Sequence, residues 1–252
     1  RSAYLHRSSE PYSIDQFEHL YTTNFSYSQP HWHPDYGFLL LHTRYRDGRR
    51  CLFHMTSRDG WHWSESTMLA GFHKGHYQTS WQRGARVGTV FNYHPEPVGL
   101  NHRTNLYYVE SDDAGETWRT AAGDTVELPI TDAHHPALVR DYEAEGLLVY
   151  LKNMTFDVDG RPVLLSITSS GWESGPQNNP RTWTTARWTG TDWDVRAVPT
   201  SDSNYDYGPL MIGTDGTWRI IGPTEPGPQR YNPGGEMVLW TSTDQGATWG
   251  RT

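Results

Sequence analysis

The chain has 252 residues and a formal net charge of −8, with 12 Trp, 15 Tyr, 24 Gly, 16 Pro and a single cysteine. Phosphate binding needs clustered Lys and Arg, which a chain of this negative charge does not favour, so we expect no nucleic-acid partner. A bilayer span needs about 18–20 apolar residues, and no stretch of the sequence approaches this length, so we expect no membrane partner. A single cysteine excludes an internal disulfide. Aromatic and β-branched residues separated by Gly, Pro and Asp clusters predict many short strands and an all-β fold.

The first segment, residues 1–24, is predicted to be the tail of an earlier repeat unit. The chain starts at Arg1 without a signal-peptide pattern, so we expect it to be processed, trimmed or a fragment. An apolar β run then begins at Tyr27-Ser28-Gln29-Pro30. Its unit ends in the turn Ser57-Arg58-Asp59-Gly60-Trp61-His62-Trp63.

The second unit begins with a predicted hairpin that carries two histidines. A turn at Gln82-Arg83-Gly84 separates a strand starting near His76 from a strand ending near His94. Antiparallel pairing then places both histidines at the same end of the sheet. Histidine is the side chain best suited to proton transfer near neutral pH, although a chain with 13 histidines also has surface and core ones.

A turn motif of the form S-x-D-x-G-x-T-W occurs twice, at Ser111–Trp118 and Ser242–Trp249. Asp accepts hydrogen bonds from turn amides, Gly supplies a positive φ, and Trp packs back between sheets. Together with Ser57–Trp63 and a decayed copy at Thr189–Trp193, the motif ends in tryptophans at positions 63, 118, 193 and 249, a spacing typical of propeller blades. The turns resemble the Asp-box of sialidase-like propellers and are interpreted as structural.

Two further units are predicted to begin with the runs His134–Val139 and Tyr205–Leu210. The first strand of a propeller blade lines the central channel. The polar aromatic residues of these two runs, and of the runs that begin at Tyr27 and His76, should therefore converge there. The sequence therefore predicts a β-propeller of four-stranded antiparallel blades, with four to five blades present. We expect residues 1–252 to form a single, incomplete propeller domain, or one portion of a larger ring.

Later segments add candidate substrate contacts. Arg187 stands between Ala186 and Trp188, and an arginine flanked by aromatics is either a stacked structural residue or a fork for a carboxylate. The run Tyr205-Asp206-Tyr207 is richer in polar groups than packing requires. The Pro- and Gly-rich stretch 222–235 is predicted to be a long loop, and loops on a rigid scaffold commonly carry function.

Several blocks make the sequence similar to the BNR-repeat propellers that include ulvan lyases. They are His76-Tyr77-Gln78, Phe91-Asn92-Tyr93-His94-Pro95, Arg103-Thr104-Asn105-Leu106-Tyr107-Tyr108, Leu148-Val149-Tyr150-Leu151-Lys152 and Gly227-Pro228-Gln229 through Gly234-Gly235-Glu236. The resemblance implies a seven-bladed ring, for which this chain is too short. It also implies β-elimination at a uronic acid of a sulfated polysaccharide, with a His pair or His/Tyr moving protons and Arg countering the uronate.

On this basis the predicted catalytic residues are His76, His94, Arg187 and Tyr205. The predicted substrate contacts are His73, Trp81, Asn92, Tyr207, Arg230 and Tyr231. The chemistry requires no cofactor. Some relatives carry a structural metal, but Cys51 and His54 show no convincing ligand pattern, and the metal is left open. The predicted partner is an acidic polysaccharide, which a chain of net charge −8 must meet with a local basic cluster.

Two other functions stay open from the sequence. One is a sialidase-like glycoside hydrolase, for which Arg181, Arg187, Arg219 and Arg230 with Glu225 and Glu236 are available. The other is a propeller that binds carbohydrate without turnover, since one fold hosts many functions. Because polymers are degraded outside the cytoplasm, we expect a secreted or periplasmic protein.

Overall fold

The computed structural model describes residues 2–95, 99–228 and 234–251. Within these ranges the regular structure is almost entirely antiparallel β-sheet, with one short 3-10 helix at Pro176–Asn178 and no helix long and apolar enough to cross a bilayer. The expectation of an all-β fold is therefore confirmed. Aromatic and β-branched residues favour strands because they pack well on a pleated, half-buried surface.

A two-stranded sheet comes first and four four-stranded sheets follow it in chain order. The first pair is β1 (Ala3–Ser8) with β2 (Phe17–Thr23). The first four-stranded sheet holds β3 (Ser26–His33), β4 (Gly37–Arg46), β5 (Arg49–Ser57) and β6 (Thr67–Ala70). The second holds β7 (Gln78–Arg83), β8 (Arg86–Tyr93), β9 (Thr104–Ser111) and β10 (Leu138–Arg140).

The third and fourth sheets repeat the same up-and-down order. The third holds β11 (Leu148–Phe156), β12 (Pro162–Ser169), β13 (Arg181–Trp188) and β14 (Trp193–Ser201). The fourth holds β15 (Leu210–Ile212), β16 (Trp218–Pro223), β17 (Met237–Ser242) and β18 (Gly250–Arg251). In every four-stranded sheet each strand pairs with the next in the chain.

One predicted unit boundary is wrong. The run His134–Val139 does not open the third sheet; its end contributes to β10, which pairs with β9 at the outer edge of the second sheet. The third sheet begins instead at Leu148. The segment between Trp118 and Leu148 is longer than its counterparts, and this length explains why the tryptophans at 118 and 193 are the most widely spaced.

The hydrophobic core lies between neighbouring sheets, as alternation along the strands requires. On β9, Tyr107 and Val109 face the first sheet, whereas Leu106 and Tyr108 face the third. On β12, Leu164 faces the second sheet, whereas Val163 and Leu165 face the fourth. Strands buried on both faces therefore lack a strict alternation of apolar and polar residues, and all eight residues of β12 are buried.

The S-x-D-x-G-x-T-W turns connect the third and fourth strands of their sheets. In the second sheet, Ser111 Oγ accepts the Gly115 N–H (2.8 Å), and Asp113 accepts the backbone N–H and the hydroxyl of Thr117 (2.9 and 2.7 Å). The fourth sheet repeats these bonds among Ser242, Asp244, Gly246 and Thr248. Trp118 packs back into the core shared with the first sheet, as predicted for this motif.

The first strands of the four sheets lie side by side and are joined by side chains. Gln78 Nε2 on β7 donates to Tyr27 O on β3 (2.7 Å), and Gln29 Oε1 accepts the Ser80 N–H (2.7 Å). The Leu210 N–H of β15 donates to Asn153 Oδ1 on β11 (3.1 Å). The sheets thus have a propeller-like arrangement, with their first strands around a common cavity.

Candidate functional site

The main cavity, about 520 Å³, opens where the first strands begin. Its described walls come from β3, β7 with the preceding Tyr77, β8, β11 and the loops that precede β9 and β15. The lining residues are Tyr27, Ser28, Gln29, Tyr77, Gln78, Thr79, Asn92, Arg103, Leu151, Lys152, Tyr205 and Tyr207. These residues include two cations and no carboxylate. The cavity is therefore locally basic in a chain of net charge −8, as an anionic ligand requires.

Arg103 is the central cation of the site. Its guanidinium carbon lies 4.4 Å from the ring centroid of Tyr77, 4.8 Å from that of Tyr150 and 5.4 Å from that of Tyr205. Aromatic faces attract a guanidinium and hold its plane in place without neutralising its charge. Among the described residues, Arg103 Nε donates to Leu100 O (3.2 Å), and the other N–H groups of the guanidinium are donors for a ligand.

The hairpin of β8 and β9 explains why Arg103 reaches the cavity. Tyr93 pairs with Thr104, so the loop between these strands starts at His94 and ends at Arg103 at one end of the sheet. The Arg103 carbonyl accepts the Val149 N–H of the third sheet (2.7 Å), which fixes the backbone against β11. The position of Arg103 thus follows from strand pairing and one contact between sheets.

His94 lies directly behind the cavity wall. Its Nδ1 is 3.2 Å from His102 O, and its Nε2 is buried without a hydrogen-bond partner. The His94 ring meets the ring of Tyr77 edge-on, with centroids 4.9 Å apart. Burial, and then the charge of Arg103, lower the pKa of His94 to about 4, so the imidazole is neutral near pH 7. With Nδ1–H donated to the carbonyl, Nε2 is the acceptor nitrogen.

His76 lies at the same sheet end as His94, as the hairpin prediction expects, but inside the core. Both ring nitrogens are used: Nδ1 is 2.9 Å from Asn92 O, and Nε2 accepts the Phe72 N–H (3.4 Å). Burial lowers the pKa of His76 to about 3. His73 lies on the preceding turn with φ +47°, stacked on Tyr93 and exposed, and is not among the cavity residues. The structure thus does not bring His73 or His76 to the cavity wall.

Asn92, Tyr205 and Tyr207 do line the cavity. Asn92 is fully buried, and its amide groups are satisfied by hydrogen bonds. Its side chain donates to Val149 O (3.1 Å) and accepts the Tyr77 N–H (3.3 Å), and it thereby joins β8 to β11 and to the residue before β7. Tyr205 is 42% exposed and donates its hydroxyl to Asn101 Oδ1 (2.9 Å). Tyr207 is more exposed still. The two tyrosines are therefore accessible to a ligand.

Arg187 is placed at the opposite end of the sheets. It is near the end of β13, buried, and its Nε donates to Asp157 Oδ2 (2.7 Å) in the turn between β11 and β12. Because antiparallel strands alternate direction, this turn and the cavity lie at different ends of the third sheet. The expected grouping of Arg187 with the histidines is therefore not observed; a buried ion pair holds its guanidinium instead.

Trp81 lines the two cavities that continue along β7 rather than the main one, with nearly half of its side chain exposed. The cavity of about 490 Å³ shares Ser28, Gln29, Thr79 and Tyr207 with the main cavity. The cavities thus form a continuous groove along the first strands. The predicted contacts Arg230 and Tyr231 lie outside the described residues.

No metal centre is evident in residues 2–95, 99–228 and 234–251, where no group of three or more His, Cys, Asp or Glu side chains could share an ion. Cys51 is buried as a free thiol. His54 lies edge-on to Trp118, and neither of its ring nitrogens has a hydrogen-bond partner.

Sequence reasoning missed Arg103 and Lys152 as cavity residues, whereas Tyr77 belongs to a run that was predicted to line the channel. All three occur in the blocks that carry the resemblance to BNR-repeat propellers, but no catalytic or binding role was assigned to them. The hairpin argument that places His94 at this sheet end also predicts Arg103 there, since the intervening loop returns the chain to the same edge. For Lys152, the signal that could have marked it as a cavity residue is the small number of lysines, because the sequence has only two, Lys74 and Lys152.

The fold and cavity define an all-β, propeller-like protein with a basic, tyrosine-lined groove. A family model described as "BNR repeat-containing family member" matches residues 3–201, and the chain therefore belongs to this family. Among curated proteins, none matches the sequence.

Solved structures share the fold at low sequence identity. A PL25 ulvan lyase bound to -[GlcA(1-4)Rha3S]- superposes with a TM-score of 0.74 at 19% identity, covering 97% of this chain and 59% of that one. The polysaccharide lyase Uly1 gives 0.63 at 14% identity, covering 90% and 49%. A Trypanosoma rangeli sialidase in complex with sialic acid gives 0.54 at 10% identity, covering 99% and 42%. The chain thus spans well under two thirds of these proteins.

Proposed function

We propose that this protein is a polysaccharide lyase that cleaves a uronate-containing, ulvan-like sulfated polysaccharide by β-elimination. The observation that carries the proposal is Arg103, a guanidinium held among three tyrosine rings at the wall of the main cavity, whose described lining includes no carboxylate. Family membership and the ulvan lyase fold support it. The groove that continues past Trp81 offers room for more than one sugar residue of a chain.

In this mechanism Arg103 binds the uronate carboxylate. The C5 proton beside an ionised carboxylate is weakly acidic, because its removal creates a second negative charge. A guanidinium paired with the carboxylate stabilises this enolate-like dianion, and such an electrostatic contribution is worth a few kcal/mol. This role was predicted for Arg187; we transfer it to Arg103, since Asp157 already pairs with Arg187.

His94 and Tyr205 move the protons. His94 Nε2 accepts the C5 proton, since His102 O fixes the tautomer with Nδ1 protonated. No part of His94 is exposed, so the Tyr77 side chain must rotate to admit the substrate. Tyr205 donates its phenolic proton to the departing glycosidic oxygen, and an unsaturated uronate forms. Each proton transfer contributes roughly 10²- to 10⁴-fold. His76, also predicted as a catalytic residue, is assigned a supporting role behind this wall.

The sialidase-like alternative has less support among the described residues. That chemistry needs several arginines around one carboxylate and a Tyr–Glu pair, whereas Arg103 is the single arginine of the described cavity wall. Glu225 and Glu236 are paired with Arg251 (2.6 and 3.5 Å). We therefore propose the lyase, with hydrolysis as an outcome that product analysis distinguishes.

We further propose that the four four-stranded sheets are consecutive blades of a single propeller domain, part of a seven-bladed ring, and that Ser111–Trp118 and Ser242–Trp249 are Asp-boxes. The shared fold of the longer ulvan lyase supports this interpretation. Because the substrate is a polymer, we expect secretion or a periplasmic location.

The test is incubation of the protein with ulvan and with other uronate polysaccharides, followed by ultraviolet absorbance of the conjugated unsaturated uronate. We expect absorbance to rise with ulvan, and Arg103→Gln to lower kcat/KM by about 10²- to 10³-fold. Arg219→Gln is the matched control, because Arg219 is an exposed arginine on β16 away from the cavity. Reducing ends without absorbance would identify a hydrolase, and binding without any product would identify a binding propeller.

A further inference from the structure

Lys152 is the second cation of the cavity, and the proposed mechanism does not use it. It lies on β11 among the wall residues and is only 6% exposed. An ammonium has three donors, and the hydrogen bond that the structure gives it runs from Nζ to Asn204 O (2.7 Å). A buried ammonium with donors left over is costly unless a further acceptor or an anion reaches it.

The charges around Lys152 come from three sides. Arg103, from the loop before β9, repels the ammonium, and Asp206, from the loop before β15, attracts it. Asp206 is itself buried and engaged by the Ser201 hydroxyl and the Gly234 N–H. Tyr150, on the same strand, has its ring centroid 6.0 Å from Nζ. The carboxylate of Asp206 is thus already hydrogen-bonded to other groups, and Lys152 itself lines the cavity.

We propose that Lys152 binds the substrate carboxylate together with Arg103, and that binding of the carboxylate is coupled to protonation of the Lys152 amine. This inference rests on the proposed function, because it takes a uronate as the ligand. It assigns a specificity role: Arg103 is always charged, whereas above pH 7 the bound anion favours the charged form of Lys152.

The protonation of the free protein agrees with this geometry. Burial, and then the charge of Arg103, lower the pKa of Lys152 to about 7, against the opposing effect of Asp206. Above pH 7 the amine of the free protein therefore loses its proton, and a carboxylate in contact favours the charged form. Ligand binding should then be coupled to proton uptake above pH 7 and independent of it below pH 6.

The experiment is titration calorimetry of the intact protein with a saturated glucuronate oligosaccharide, in buffers of different ionisation heat. For the wild-type protein we expect uptake of about one proton per site at pH 8 and about none at pH 5.5. We expect Kd to rise roughly tenfold per pH unit above pH 7. Lys152→Arg should bind at pH 8 without proton uptake, and Lys152→Met should bind weakly at every pH. Lys74→Arg, which changes the other lysine, is the matched control and should keep the uptake.

Uptake that persists in Lys152→Arg would overturn the inference, because another group would then be the acceptor. Affinity in Lys152→Met equal to that of the wild type would overturn it as well. If Lys152→Arg fails to fold, as its thermal melt would show, the Lys152→Met comparison decides alone. Failure of the proposed function has a different signature: the wild type then binds the oligosaccharide without forming unsaturated product from ulvan, or binds no uronate, in which case the inference falls with it.

Discussion

The two ends of the sheets are built on different plans. At one end, the turns between third and fourth strands repeat the same hydrogen bonds, as at Ser111–Trp118 and Ser242–Trp249. At the other end, the loops carrying His94, Arg103 and Tyr205 share no pattern and surround the cavity. From this difference we expect the repeated end to contribute stability and the irregular end to carry the proposed chemistry, as is common for loops on a rigid scaffold.

The largest effect that would test this division is the loss of a tryptophan at the repeated end. Trp118 is almost fully buried in the core between the first two sheets. Trp118→Ala should lower the free energy of unfolding by about 3–5 kcal/mol, because it removes an indole and leaves a cavity. Urea unfolding measures the loss. Activity per folded molecule should stay at the wild-type value, and a large fall in kcat would break the division.

The matching change at the cavity end is Tyr205→Phe. It removes a hydroxyl that donates to Asn101 Oδ1 from a side chain that is 42% exposed. We expect kcat to fall by at least about 10²-fold, as for the loss of a general acid, with little change in the unfolding midpoint. Initial rates on ulvan give the first quantity. An unchanged kcat would remove Tyr205 from the mechanism and leave the proton donor to another group.

The buried histidines test the comparison through the pH dependence of stability. Burial lowers the pKa of His76 to about 3 and of His54 to about 4, from an ordinary value of 6.5. Each is neutral when folded and takes a proton on unfolding below pH 6.5. The contribution of the neutral histidine to the free energy of unfolding is therefore complete above pH 6.5. It is lost as the pH falls toward the pKa of that histidine in the folded protein. We expect stability to fall by up to about 1.4 kcal/mol per pH unit for each such histidine.

Denaturant unfolding between pH 7 and pH 4.5 measures this slope. His76→Gln should unfold more readily at pH 7, because the core site is disturbed, but its stability should depend less steeply on pH. A variant with the same slope as the wild type would show that His76 is not neutral in the folded protein.

The smallest expected effect is again at the repeated end. Thr117→Val removes one hydroxyl that donates to Asp113 Oδ2 (2.7 Å) and keeps the shape of the side chain. We expect a loss of about 1 kcal/mol of stability and no change in activity. Thr248→Val alters the same turn in the fourth sheet, so the two thermal melts can be compared directly. Opposite signs in the two variants would show that the turns are not equivalent.

Much of the fold could be predicted from the sequence because its signals are local. Turn chemistry located the connection between the third and fourth strands of each sheet, although the predicted units ended one strand too early. Hairpin pairing placed His76 and His94 together. The start of the third sheet was misplaced, because the run at residues 134–139 resembles a strand of any kind. Whether such a run opens a sheet or closes one depends on its partner, and β9 is that partner.

The site was predicted less well because its contacts are not local. His76 and Tyr77 are adjacent in the chain, yet the first lies in the core and the second lines the cavity; a shift of one residue exchanges the two faces. Arg187 resembled a carboxylate clamp from its aromatic neighbours. Its actual partner, Asp157, lies 30 residues earlier in another turn and cannot be recognised from the flanking sequence.

The separation of the core into clusters between sheets has a consequence for how this molecule holds together. Each inner sheet shares its apolar faces with the sheet before and the sheet after it, and the clusters are distinct. Stability is then close to a sum of nearest-neighbour couplings, as in solenoid arrays. A destabilising substitution in one sheet should therefore destabilise the neighbouring sheets first. Amide hydrogen exchange should show this as a loss of protection that decreases with distance from the substituted sheet.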